Sequence, residues 1–144
     1  MGLKINIEMV RIFLNRDSVC AADDTMDHRE VVFVPSDITI KDFVWTVCLD
    51  YLERGSVWRG EWLVYSGDRD TDGLGELFFS MNTTHPCTIK IYSGWAEGKG
   101  IPEKIYFRNL SDPWLDKSTI GESKESFTLY KEGWLAKLFK IRNK

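Results

Sequence analysis

Apolar residues recur at spacings of three and four between Thr39 and Gly55, which is the period of an amphipathic helix. The apolar positions are Ile40, Phe43, Val44, Val47, Cys48, Tyr51 and Leu52. Thr39 suits the N-cap, and Gly55 suits the position just after the last turn. The pattern predicts a helix over Ile40–Glu53 that buries its apolar stripe.

Apolar and polar residues alternate near the N-terminus, which is typical of a half-buried strand. The patterns predict strands at Leu3–Leu14, Glu30–Val34, Glu61–Tyr65, Glu76–Met81, Cys87–Tyr92 and Lys104–Arg108. We expect Leu3–Leu14 to be the central strand, because apolar residues occur on both of its faces. A mixed β-sheet packed on one main helix makes the predicted fold class α+β.

The order of these elements (strand, loop, strand, helix, strand, acidic turn) resembles the β-grasp fold of ubiquitin-like domains. The residues that carry the resemblance are Ile5–Leu14, Glu30–Val34, Thr39–Leu52, Trp62–Gly73 and, as the closing strand, Cys87–Tyr92. The resemblance implies an elaborated β-grasp interaction domain. The chain ends Ile-Arg-Asn-Lys144, without the Gly-Gly of conjugated modifiers, so we do not expect it to be conjugated.

We expect residues 1–144 to form a single domain, because no linker, repeat or low-complexity segment divides the chain. Residues 1–95 would form the β-grasp-like core, and residues 96–144 a C-terminal extension that packs on it. Trp45 and Leu49 widen the apolar stripe of the helix beyond the area that one sheet face covers. The expected cover is the tail, with Trp114, Trp134, Leu138 and Phe139. Alternatively, Trp45 and Leu49 are exposed and contact a partner.

The net charge of −3 and the sequence pI near 5.4 argue against nucleic-acid binding, which needs many cationic contacts to phosphate. The three cysteines, Cys20, Cys48 and Cys87, cannot all pair within the chain. This favours a reducing, cytoplasmic location. The N-terminus lacks the apolar core of a signal peptide, and no stretch approaches the ~20 apolar residues of a membrane span.

The segment Asp68-Arg-Asp-Thr-Asp-Gly73 matches the first six positions of a calcium loop, and Glu76 falls at position 9. Position 12, normally a bidentate Glu, is Phe79. We therefore expect a solvated turn and no cofactor. The alternative is a metal-dependent enzyme or metal sensor, with calcium as the candidate ion and Asp68, Asp70, Asp72 and Glu76 as ligands.

Five acidic residues lie between positions 17 and 30 and are our candidate partner-binding residues: Asp17, Asp23, Asp24, Asp27 and Glu30. Clustered charge of one sign steers association with an oppositely charged partner. No nucleophile elbow or paired acid–base motif accompanies them. The predicted function is a non-catalytic protein-binding module with a basic protein partner, for example an immunity-type protein that neutralises a basic toxin. A merely solvated acidic face remains the alternative.

Overall fold

In the part of the chain that the structure describes, seven strands form one mixed sheet, and a short helical segment packs against it, which confirms the α+β class. The computed structural model describes residues 8–19, 27–54, 60–84, 86–95, 100–110 and 115–129. The strands are β1 (Met9–Arg16), β2 (Glu30–Pro35), β3 (Glu61–Asp68), β4 (Gly73–Asn82), β5 (Cys87–Ile91), β6 (Lys104–Asn109) and β7 (Glu125–Leu129). Within the described ranges, no helix has the length and apolar character needed to cross a membrane.

The predicted helix is present and has three consecutive parts. These are α1 (Ile40–Phe43), a π-helical turn (Val44–Cys48) and α2 (Leu49–Arg54). The expected N-cap is confirmed, because the Thr39 hydroxyl accepts a hydrogen bond of 3.1 Å from the backbone N–H of Asp42. The side chains predicted to be buried are buried: Phe43, Val44, Val47, Cys48 and Tyr51.

The strand order is β2-β1-β6-β3-β4-β5-β7, and every neighbouring pair is antiparallel except β1 with β6. β1 is therefore second from an edge, and β3 occupies the middle. The central position expected for the Leu3–Leu14 strand is wrong for its described part, and residues 3–7 lie outside the described residues. The expected closing strand, Cys87–Tyr92, is also wrongly placed. Its residues form β5 between β4 and β7, whereas β6 lies in parallel beside β1. Apolar periodicity identifies strands but does not say which strands pair.

The core lies between the helical segment and one face of the sheet, and Trp95 anchors it at one side. Trp95 is almost fully buried, and its indole N–H donates a hydrogen bond of 3.0 Å to the carbonyl of Ile38. The ring makes edge contacts with Phe43 at 5.1 Å, Phe78 at 5.4 Å and Phe79 at 5.8 Å. Trp95 thus joins the segment after β5 to the start of the helix and to β4.

The C-terminal part of the chain contributes β7, whose Leu129 is buried in the core. The residues expected to cover the far side of the helix, Trp114, Trp134, Leu138 and Phe139, lie outside the described residues. Trp45 and Leu49, which they were expected to cover, are half-buried and pack at the border of the core.

Candidate functional site

The face of the β1–β2 pair that points away from the core carries an unusual number of exposed apolar side chains. Cross-strand pairing places Met9 opposite Pro35, Arg11 opposite Phe33 and Phe13 opposite Val31. Their exposed fractions are 53% for Met9, 45% for Val31 and 65% for Phe33. We call Met9, Phe13, Val31 and Phe33 the apolar strip. Exposed apolar side chains grouped in this way typically mark an interaction surface.

Among the described strands, β2 also lies at an edge of the sheet, with β1 as its one neighbour. The backbone N–H of Ser36 donates a hydrogen bond of 2.8 Å to the carbonyl of Glu8. In an antiparallel pair every second residue bonds to the neighbouring strand, so the residues of β2 that bond to β1 are those at even positions. By that alternation, Val31 and Phe33 direct their backbone N–H and C=O groups away from β1. The free edge of β2 carries no lysine of the kind that commonly blocks strand pairing.

A pocket of about 230 Å³ adjoins the apolar strip. Four segments that are distant in sequence line it: Phe13, Leu14 and Asn15; Arg29, Glu30 and Val31; Gly67 and Asp68; and Lys104 and Ile105. The pocket therefore brings Glu30, from the first acidic set, together with Asp68, from the calcium-like turn. Sequence reasoning missed Asn15, Arg29 and Lys104, which carry no motif, because each joins the pocket only through strand pairing.

The acidic turn, residues 68–73, is organised by hydrogen bonds from Asn15 on β1 and from its own backbone. The Asn15 side-chain amide donates to Asp68 at 3.1 Å and to Asp70 at 2.8 Å. The backbone N–H of Asp70 also donates to Asp68, at 3.0 Å. Gly67 has φ +95°, and a Cβ there would lie 2.4 Å from the carbonyl oxygen of Gly73, so only glycine fits at that position.

The remaining carboxylates proposed as metal ligands have other partners. The Thr71 hydroxyl donates to Asp72 at 2.7 Å, and this bond, aided by Lys104 at 3.5 Å, lowers the pKa of Asp72. Glu76 accepts a hydrogen bond from the hydroxyl of Ser93. Within the described part of the chain, no three His, Cys, Asp or Glu side chains gather as a metal-binding group.

Asp17, the first of the five candidate partner-binding acids, is buried and holds parts of the fold together. One carboxylate oxygen accepts hydrogen bonds from the Tyr106 hydroxyl at 2.7 Å and from Arg69 at 2.9 Å. The other accepts from the backbone N–H of Asn109 at 2.9 Å. The pKa of Tyr106 is raised, mainly because the side chain is buried and secondly because its hydroxyl donates to Asp17. Asp17 thus links the end of β1 to β6 and to the acidic turn.

Of the other four candidates, Asp27 is exposed and Glu30 is half-buried at the pocket, while Asp23 and Asp24 lie outside the described residues. The guanidinium of Arg29 contacts both oxygens of Asp27, at 2.9 and 3.0 Å. Hydrogen bonds from Arg29 lower the pKa of Asp27 to about 2, so this carboxylate stays ionised.

The base of the connection between β1 and β2 is cross-linked by polar contacts. Ser18 Oγ lies 3.0 Å from Nε2 of His28, and the hydroxyl of Tyr51, on α2, donates to the backbone carbonyl of His28. These contacts tie the residues that precede β2 to the end of β1 and to the helix. Asp27 and Glu30 are therefore held at the start of β2 by the sheet and by the helix.

The charged side chains that line the pocket are balanced, with the carboxylates Glu30 and Asp68 and the cations Arg29 and Lys104. The adjoining residues add the carboxylates Asp27, Asp70 and Asp72, and the cation Arg11 lies over the Phe13 ring. Arg29 is paired with Asp27, and Lys104 with Asp72. Asp68 and Asp70 accept hydrogen bonds from the Asn15 amide, and Asp68 also accepts one from the backbone N–H of Asp70. The apolar strip is thus bordered by charged side chains of both signs.

The described cysteines are not suited to nucleophilic chemistry. Burial raises the pKa of Cys48 well above its ordinary value and raises that of Cys87 to about 11. Both thiols therefore remain protonated at neutral pH.

Comparisons with protein-family models, with curated proteins and with solved structures find no match to this chain.

Proposed function

We propose that this chain is a non-catalytic, cytoplasmic protein-binding module that holds a basic protein against the outer face of β1 and β2. The observation that carries the proposal is the apolar strip, which lies beside a pocket lined in part by the carboxylates Glu30 and Asp68. Burying a large apolar side chain is worth roughly 1.5–3 kcal/mol, less the cost of association. Met9, Val31 and Phe33 would supply such burial, and the carboxylates would orient the partner.

The proposal extends to the architecture. A β-grasp consists of a first hairpin, a helix and a later strand inserted in parallel beside the first strand. This interpretation is supported by the arrangement of β1, β2, the helical segment, β3 and β6. In this interpretation β5 and β7 are additions at one edge. An interaction domain of the ubiquitin-like type would leave the edge strand β2 free for a partner.

A module of this kind would neutralise or position a basic protein without altering it chemically. An immunity-type protein bound to a basic toxin is one concrete form. The acidic residues would raise the rate of encounter, and the apolar strip would slow dissociation.

Affinity capture from a native lysate, read by mass spectrometry, tests the proposal. The baits are the wild type, a strip variant (Val31→Ser with Phe33→Ser), and a control variant (Ser126→Ala with Thr128→Ser) on the opposite edge strand, β7. Unchanged melting temperatures establish that all three are folded. We expect the wild type and the control to retain one basic protein that the strip variant loses. Equal retention by all three baits, or retention of no protein, would contradict the proposal.

A further inference from the structure

The outward edge of β2 carries backbone groups that no described residue bonds. By the alternation of the β1–β2 ladder, the N–H and C=O groups of Val31 and Phe33 point away from β1. The side chains of the same two residues are exposed. A strand edge of this kind is a template for pairing with another strand. We propose that β2 pairs in antiparallel orientation with β2 of a second copy of this chain, so that two sheets join about a two-fold axis.

Both ends of this edge are closed by contacts within the chain. The backbone N–H of Arg29 donates a hydrogen bond of 3.0 Å to the carboxylate of Asp27. Pro35 has no N–H, and its carbonyl accepts a hydrogen bond of 3.1 Å from the N–H of Ile38. Between these two ends, the outward-pointing residues are the pair named above. A second strand therefore meets a short edge with defined limits.

One symmetric register uses all the outward groups of this pair, and the neighbouring registers do not. When Val31 lies opposite Phe33 of the second copy, the two-fold axis repeats the contact, and the N–H and C=O groups of both residues are bonded in both copies. A register centred on Phe33 sets Val31 opposite Pro35, which has no N–H. A register centred on Val31 sets Phe33 opposite Arg29, whose N–H is bonded to Asp27. The edge is thus complementary to itself.

The side chains match in the same register. On the outer face, Val31 lies beside Phe33 of the second copy, and such pairs of a β-branched and an aromatic residue stabilise antiparallel sheets. Val32, half-buried at the border of the core, lies opposite Val32 of the second copy on the axis. The large exposed apolar side chains among the described residues are Met9, Val31 and Phe33. All three belong to β1 and β2, so β2 is the better edge for pairing than β7.

Charge complementarity also favours a second copy as the occupant of this edge. The Nε and one Nη of the exposed Arg29 contact Asp27, and its other Nη has no partner among the described residues. In the proposed register Arg29 lies opposite Pro35 of the second copy, beside the turn that carries the exposed Asp37. The forked guanidinium can bond to carboxylates on two sides. The two-fold axis repeats this pair of opposite charges.

The size of the contact predicts a weak, reversible dimer. Two such short edges bury less than the roughly 1,200–2,000 Å² of stable interfaces, so we expect a Kd of about 10–100 μM. The pairing joins edges and leaves the outer face of β1 and β2 open, with the apolar strips of two copies side by side. It is therefore compatible with the protein-binding function proposed above and does not depend on it.

Sedimentation velocity of the full chain between about 5 and 500 μM tests the pairing. We expect the sedimentation coefficient to rise with concentration. Val31→Pro removes one outward N–H without removing a bond to β1, and it should weaken the Kd by about tenfold or more. Val31→Thr, which keeps the N–H and the branched shape, should stay within about threefold of the wild type. A monomer at every concentration, or an equally strong dimer of Val31→Pro, would overturn the proposal.

Cysteine cross-linking tests the register, and it remains decisive if Val31→Pro fails to fold. In the proposed register the two copies of residue 32 form a non-hydrogen-bonded pair with Cα atoms about 4.5 Å apart, which a disulfide can span. Each variant also carries Cys20→Ser. We expect Val32→Cys to cross-link into a dimer much faster than Phe33→Cys or the exposed control Thr128→Cys on β7.

Equal rates for the three cysteine variants, or the fastest cross-linking by Phe33→Cys, would contradict the register and with it the proposal. These experiments use the purified chain alone. If the chain dimerises through β2 but captures no basic protein, the self-pairing stands and the protein-binding function fails. If a basic protein is captured but the chain stays monomeric, the function stands and the self-pairing fails.

Discussion

The carboxylate of Asp17 accepts a hydrogen bond of 2.7 Å from the hydroxyl of Tyr106, a residue 89 positions later in the chain. This bond joins the end of β1 to the neighbouring parallel strand β6 on the face away from the helix. It gives Asp17 a structural role that its position in an acidic segment does not suggest. The recognition residues proposed above therefore begin beyond Asp17.

Removing the Asp17 carboxylate should destabilise the fold. Asp17→Ala removes the carboxylate that Tyr106, Arg69 and Asn109 all contact, and we expect a loss of about 2–4 kcal/mol in the free energy of unfolding. Urea denaturation measures the change. The matched control is Asp27→Ala, in the same acidic segment but exposed, whose unfolding curve should superimpose on that of the wild type. Similar effects of the two substitutions would refute the structural role of Asp17.

The raised pKa of Tyr106 predicts a loss of stability in alkali. The folded chain holds the phenolic proton more tightly than the unfolded chain, whose tyrosines titrate near pH ~10. The resulting stabilisation is fully present below pH ~10 and is lost as pH rises toward the folded-state value. We expect the free energy of unfolding to fall more steeply with pH above 10 in the wild type than in Tyr106→Phe. Parallel pH profiles would show that Tyr106 does not contribute.

Trp95 should be among the most sensitive positions in the core. Trp95→Ala removes a buried ring that contacts three aromatic residues, and we expect it to cost about 3–5 kcal/mol. Trp95→Phe keeps a ring but leaves the Ile38 carbonyl without its indole donor, at a cost of about 1–3 kcal/mol. Thermal and urea unfolding measure both. Trp45→Ala, at a half-buried position, should cost less than Trp95→Ala; the reverse order would contradict this description of the core.

The acidic turn should not bind calcium tightly. Asp68 and Asp70 are held by the Asn15 amide, Asp72 faces Lys104, and position 12 of the calcium pattern is the buried Phe79. We expect millimolar calcium to change the Tm of chelator-treated protein by less than about 1 °C, because an unsaturated site contributes little stabilisation. A rise of several degrees that Asp68→Asn with Asp70→Asn abolishes would favour a metal-dependent enzyme or sensor instead.

Much of the secondary structure was predictable because it depends on local periodicity. The helix after Thr39 and the strands that include Glu30, Glu61 and Lys104 follow from apolar spacing and turn residues. The neighbours of each strand were not predictable. Residues 87–91 and 104–109 have similar patterns, and only long-range packing determines that the second segment lies beside β1.

The candidate site was predictable only in part, for the same physical reason. The acidic character of the segment around Asp27 and Glu30 is visible in the sequence, and so is the turn at Asp68. Their meeting at one pocket depends on the pairing of β1 with both β2 and β6. The exposure of Phe33 could not be predicted either, because Val31 and Phe33 lie in a continuous apolar run, a pattern that is typical of a buried strand.

The most direct test of a charge-steered protein-binding module is the association rate with the captured partner at two ionic strengths. The test variant combines Asp23→Asn, Asp24→Asn and Asp27→Asn, and the control combines Asp42→Asn with Asp116→Asn. We predict that the test variant associates several-fold more slowly than the wild type at low salt. The difference should shrink near physiological salt, where the screening length is about 8 Å. A wild-type rate that neither the test variant nor the ionic strength changes would contradict the account.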